Sequence, residues 1–162
     1  METAVRPYAS HREEGEKLSF LGAPSWIKAT GEQSGGALTV IEQIIPPGAG
    51  TPWHLHHNED ESLYIIDGEL LFIVGAERQR ISAGPGTYVF GPRNIPHGFR
   101  NDGTAPVRLL LEYAPAGFER FVLGISEPAP ASGVAPAEPL DMDKVLAEAA
   151  KANIEILGPL PE

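Results

Sequence analysis

Residues 48–68 read GAGTPWHLHHNEDESLYIIDG. Three of the chain's five histidines fall here, at 54, 56 and 57, and three acids follow at 59, 60 and 61. In an extended strand, residues two apart share a face. His54 and His56 therefore project together, while Leu55 and His57 project to the other side. Glu61 opens the next apolar run, and the alternation Glu61, Leu63, Ile65 puts its carboxylate on a core-facing series. A carboxylate there is costly unless a cation or hydrogen-bond donors compensate it. Two neutral imidazoles converging on that carboxylate supply the makings of a divalent metal site.

His97 begins another apolar-face series in "HGFRN" (97–101), with Phe99 next on the same face. A strand running back across the barrel would bring it beside the first group, a contact that the sequence alone does not prove. Each fragment alone has a plainer explanation. His-x-His is compatible with a polar strand edge, NEDE with a solvated acidic turn, and His97 with a hydrogen-bonded core histidine. Their combination is what points to metal.

The composition agrees with a folded, β-rich domain. The chain has 162 residues, 42% hydrophobic and 21% charged, with 18 glycines and 16 prolines separating short apolar runs. That pattern favours an all-β sandwich or barrel. The formal charge of −10 repels phosphate backbones and anionic lipid, so neither nucleic acid nor membrane is an expected partner. There is no cysteine. Disulfides and thiolate metal sites are excluded, and any metal is held by nitrogen and oxygen. Residues 1–20 hold no apolar stretch of the kind that directs export, so the expected location is cytoplasmic.

Along the chain, residues 1–16 read as a polar covering arm. "KLSFL" (17–21) and "WIKA" (26–29) read as strands separated by a "GAPS" turn, and "ALTVIEQII" (37–45) as a β-branched strand. "ESLYIIDGELLFIVG" (61–75) places two apolar runs around Asp-Gly, the preferred pair of a two-residue hairpin. "RQRIS" (78–82) and "TYVF" (87–90) are further strands. "HGFRN" and "VRLLLEYA" (107–114) form a second expected hairpin across "DGTAP". "PAGFERFVLGI" (115–125) has helical spacing, and "EPAPASGVAPAEP" (127–139) reads as an extended strap. "LDMDKVLAEAAKAN" (140–153) is a helix with Asp141 as its N-cap, and "IEIL" (154–157) is a final strand. His11 lies in the polar arm, away from this chemistry.

The spacings match a family. Gly48 and five residues lead to His54; then come His56, a gap of four, Glu61, a gap of six, and Gly68. Gly86 and five residues lead to Pro92; then come His97, three residues, and Asn101. These resemble the two motifs of the cupin superfamily. Asn94 stands where the family usually has glycine, and Asn tolerates the left-handed backbone such a turn requires. Within cupins, "HLHHNEDESLYIIDGEL", "GPRNIPHGFRN", "APAGFERF" and the closing "LDMDKVLAEAAKANIEILGP" resemble bacterial single-domain quercetin 2,3-dioxygenase-like proteins.

The resemblance implies one cupin domain over 1–162, an antiparallel β-barrel or jelly roll. Residues 1–36 form the arm and covering strands, 37–114 the barrel core with both motifs, and 115–162 a short helix, strap and C-terminal helix. It implies His54, His56, Glu61 and His97 as metal ligands, with Glu61 also the catalytic base. His57, Glu59 and Asp60 then fall outside the ligand set, as surface or supporting groups. One divalent iron, nickel, cobalt, manganese, copper or zinc ion fits such donors, and affinity alone does not choose among them.

The reaction implied is cleavage of a flavonol-like or other enol-bearing aromatic by O2. The apolar-face residues Leu38, Leu63, Ile73, Phe99 and Tyr113 are the candidates for its pocket lining, since such pockets are mostly apolar. The alternatives are a metal-dependent isomerase, decarboxylase or hydrolase working without O2, and a non-enzymatic small-molecule binder. A homodimer is the assembly the family implies.

Overall fold

The computed structural model describes residues 5–129 and 140–162. Strands β1 (Leu18–Phe20), β2 (Ala23–Ala29), β3 (Thr39–Ile45), β5 (Asp60–Asp67), β8 (Tyr88–Gly91), β10 (Val107–Ala114) and β11 (Glu127–Pro128) build one sheet. Its order is β11-β1-β2-β3-β10-β5-β8. Strands β4 (Trp53–His56), β6 (Leu70–Val74), β7 (Gln79–Ala83), β9 (His97–Arg100) and β12 (Ile154–Gly158) build the second, in the order β12-β4-β9-β6-β7. Every strand pairing is antiparallel. The helices are α1 (Gly31–Ser34), α2 (Glu119–Ile125) and α3 (Met142–Lys151). No helix of the described residues is long and apolar enough to cross a membrane.

The apolar core lies between the sheets. The alternating positions Leu63 and Ile65 of β5, Val107, Leu109, Leu111 and Tyr113 of β10, and Leu70 and Phe72 of β6 all enter it. This is the jelly-roll arrangement that the resemblance to cupins implies.

The two expected hairpins are corrected. Asp67-Gly68 does turn the chain, with Gly68 at φ +85°, but β5 and β6 enter different sheets. β5 pairs with β10 and β8, and β6 with β7 and β9. A Cβ on Gly68 would lie 2.9 Å from the Pro106 carbonyl, so the turn is packed against the chain entering β10 as a corner between sheets. β9 and β10 are likewise in opposite sheets. Turn chemistry fixes where a chain reverses; buried faces decide what each strand pairs with.

At the other end, the turn between β1 and β2 is Leu21-Gly22, both at positive φ (51° and 77°). "GAPS" is therefore mostly strand. Helix α1 was not anticipated, although Thr30-x-x-Gln33 makes a reciprocal capping box. Asp141 caps α3 as expected, accepting from the Lys144 amide at 3.1 Å. Most of the strap, residues 130–139, lies outside the described residues.

Residues 8–13 of the arm lie on the outer face of the larger sheet. Tyr8 donates to the Lys28 carbonyl at 2.8 Å, and the Glu13 amide donates to Glu42 Oε2 at 3.1 Å. Glu42 also pairs with Lys28 at 3.1 Å and with Arg108, which reaches Glu13 at 2.6 Å.

Gly50 sits at a close crossing, where a Cβ would come 2.2 Å from the Phe99 carbonyl oxygen. Gly50→Ala is expected to cost about 3 kcal/mol, the upper end of overpacking penalties. A urea midpoint lowered by that amount at unchanged m-value checks it. An unshifted midpoint would mean the crossing gives way freely.

Candidate metal centre

β4 and β9 are neighbours with His54 opposite His97, while Glu61 is the second residue of β5 in the facing sheet. The four side chains meet in the space between sheets. They are 7% (His54), 1% (His56), 2% (Glu61) and 0% (His97) exposed, and their donor atoms lie within 4.8 Å of one another. The i, i+2 geometry that put His54 and His56 on one face holds, and His57 turns away to Asn94 and Glu155 on the surface.

The hydrogen bonds around the imidazoles give the cluster its sense. His54 Nδ1 lies 2.8 Å from the Pro52 carbonyl, and His97 Nδ1 lies 2.9 Å from the Ile95 carbonyl. A carbonyl only accepts, so each Nδ1 carries the proton and each Nε2 is left as an acceptor. Those Nε2 atoms turn inward. His97 Nε2 lies 2.9 Å from Glu61 Oε2, His56 Nε2 lies 3.0 Å from the same oxygen, and His54 Nε2 lies 3.2 Å from His56 Nε2.

Acceptors facing one another at this range need positive charge among them, from protons or from a metal. The spacings are those of neighbouring ligands around an ion with bonds of about 2.1 Å. The four residues therefore fit a single divalent ion and form a site able to hold one.

Burial opposes ionisation of Glu61, but the three imidazoles facing it hold its carboxyl well below the usual range. Burial likewise lowers His54. It would lower His56 too, yet bonding to Glu59 and Glu61 outweighs it and raises that group to about 9. A metal taking His56 Nε2 must displace this proton. Apparent metal affinity is therefore expected to rise about tenfold per pH unit as pH climbs toward 9. Competition titrations at several pH values check this, and a pH-independent affinity would contradict it.

Glu59 is the residue that spacing alone undervalued. It is not on the surface: it is 4% exposed, and its Oε1 accepts from His56 Nδ1 at 2.7 Å. It orients that ligand as the two backbone carbonyls orient the others. Asp60 instead turns outward to Arg93, 3.0 Å away. Asn94 occupies the left-handed region at φ 63°, as its place in the motif required.

The expected pocket residues divide. Leu63, Phe99 and Tyr113 belong to the core on the side that carries the ligands. Tyr113 is opposite Glu61 in register and stacks on Phe118 at 3.8 Å. Burial, with the charges of Glu61 and Glu59, pushes its phenol well above the ordinary range, so it stays a neutral O–H. Ile73 is corrected. It pairs with Gly98 and points opposite to Phe72, whose ring stacks on His97 at 5.8 Å. Phe72 holds the position that Ile73 was expected to hold. Leu38 precedes β3, half-buried and outside the core cluster. Phe118 was missed: its ring lies 5.3 Å from that of His56, and its place before α2 gave no strand alternation to find it by.

A double-sheeted fold with three histidines and one glutamate between its sheets defines a metal-site cupin. The cupin domain family matches residues 41–113, and the chain belongs to that family. It is 33% identical over 129 residues to the tetracenomycin polyketide synthase protein TcmJ of Streptomyces glaucescens, covering 78% of this chain and 80% of that one. It is 26% identical to quercetin 2,3-dioxygenase of Bacillus subtilis over 94% of this chain, but spans only 45% of that enzyme. Among solved structures, a predicted oxalate decarboxylase from Thermotoga maritima superposes with TM-score 0.58 at 18% identity, covering 64% of this chain and 96% of that one. At that identity the likeness speaks for fold alone.

Proposed function

We propose that this cupin is a metal-dependent dioxygenase acting on a flavonol-like or other enol-bearing aromatic, with Glu61 as both ligand and proton acceptor. The observation that carries the reading is a carboxylate held ionised inside an aromatic-walled centre, 2% exposed and faced by three imidazoles. Similarity to the Bacillus subtilis quercetin 2,3-dioxygenase over 94% of this chain supports the same reading.

His54, His56, Glu61 and His97 would hold a divalent ion there, and it would supply Lewis acidity that favours the anion of an enol substrate. Glu61 is placed to take the enol proton as that anion forms. Tyr113, neutral and opposite Glu61 in register, offers an O–H donor on the same side. Phe72, Phe99 and Phe118 keep the surroundings apolar, which excludes water and suits a flat aromatic substrate.

The test is oxygen uptake by metal-loaded protein against a panel of flavonols and simpler enols. Uptake stoichiometric with substrate loss, absent in Glu61→Gln, is the expected result. Substrate turnover with no oxygen consumed would replace the reading with a metal-dependent isomerase, decarboxylase or hydrolase. Binding without turnover would leave a small-molecule-binding cupin.

A further inference from the structure

Beside the metal centre, between α2, α3 and the turn at 58–59, lies a cavity of about 380 Å³. It opens to the surface, and its volume is in the range of small-ligand pockets. None of the four ligand residues lines it. Phe118 and Phe121 do, with ring centroids 5.4 Å apart and planes tilted by 46°.

Four charged side chains line the cavity: Glu59, Arg120, Glu148 and Lys151. Two of them cancel, since Lys151 Nζ lies 2.6 Å from Glu148 Oε1. That pair is set by packing. Glu148 lies over Gly124 of α2, where a Cβ would come within 2.8 Å of its carboxylate. Glu59 commits Oε1 to His56. Among the described residues its Oε2 has no partner, and the Arg120 guanidinium has neither an ion pair nor a hydrogen bond. The cavity therefore combines aromatic surface, an unpaired two-pronged cation and an unpaired carboxylate oxygen.

An occupant matching these groups has a flat apolar body, an anionic group for the guanidinium fork, and a hydroxyl able to donate to the carboxylate oxygen. A simple anion leaves Glu59 unsatisfied and repelled, and a simple phenol leaves Arg120 unpaired. We infer that this cavity binds a small hydroxylated aromatic carboxylate, its carboxylate on Arg120 and its hydroxyl on Glu59 Oε2. The occupant is then one carboxylate removed from His56, at a subsite separate from the space between the sheets. The inference does not depend on the oxygenase reading, because it concerns binding outside the metal's ligand set.

The probe is 4-hydroxybenzoate, titrated into the metal-loaded full chain and followed by amide chemical shifts. Saturable shifts at Gly117 and Ala152, which line the cavity, are expected. Arg120→Gln, a change at an exposed side chain, is expected to weaken binding by at least about tenfold. Benzoate and phenol, each lacking one of the two polar groups, should both bind several-fold more weakly than the probe.

No saturation below about 10 mM, or equal affinity for wild type and Arg120→Gln, overturns the inference. Loss of oxygen uptake with probe binding intact would count against the oxygenase reading alone.

Discussion

Glu61→Gln is expected to lower metal affinity by more than about 100-fold, beyond the 10–100-fold typical of groups that only orient ligands. The reason lies in the facing acceptors. His97 Nε2 and His56 Nε2 both approach Glu61 Oε2, at 2.9 and 3.0 Å. In the wild type, positive charge must sit among them. Glutamine keeps the volume and replaces one oxygen by an NH2 that donates to those same nitrogens. The cluster is then satisfied without a cation, and the only negative ligand is gone. Metal content should fall to trace levels while the metal-free variant unfolds no more readily than metal-free wild type. A Glu61→Gln protein with a full complement of metal would contradict this assignment of the ligand set.

The second large effect belongs to Glu59. It binds no metal in this account, but its carboxylate fixes the His56 ring and strengthens its donation. Glu59→Gln keeps an acceptor for Nδ1 and loses the charge; Glu59→Ala loses both. Metal affinity is expected to fall about 10-fold or more in the first and nearer 100-fold in the second, the range of such supporting groups. All four ligands remain in place in both variants. If both bind metal like wild type, the 2.7 Å contact plays no part in holding the ion.

These two glutamates divide what the sequence made legible from what it did not. Glu61 and its three histidines could be read because each heads or follows a strand whose period of two sets its direction. The pairing of His54 with His97 then follows once β4 and β9 lie side by side. Glu59 lies outside the strands, between β4 and β5, where alternation says nothing about direction. In a run as acidic as NEDE it is indistinguishable from its exposed neighbours.

The same limit explains the fold. Asp67-Gly68 announces a turn with no indication that the next strand changes sheets. That choice rests on long-range burial, Leu63 and Ile65 facing β10 residues while Phe72 faces His97. Ile73 and Phe72 differ by a single step of alternation inside a continuous apolar run, LLFIV. Both faces of that run are apolar, so composition does not mark the inner one.

One metal ion is expected to occupy the space among His54, His56, Glu61 and His97. The measurement that tests this most directly is a crystal structure of the protein with anomalous data collected at the absorption edge of the metal found in the sample. The expected result is one peak, about 2.0–2.3 Å from the three Nε2 atoms and a Glu61 oxygen, with Glu59 still against His56 Nδ1. A cluster held together by protons and water alone, or an ion bound elsewhere on the chain, would contradict it.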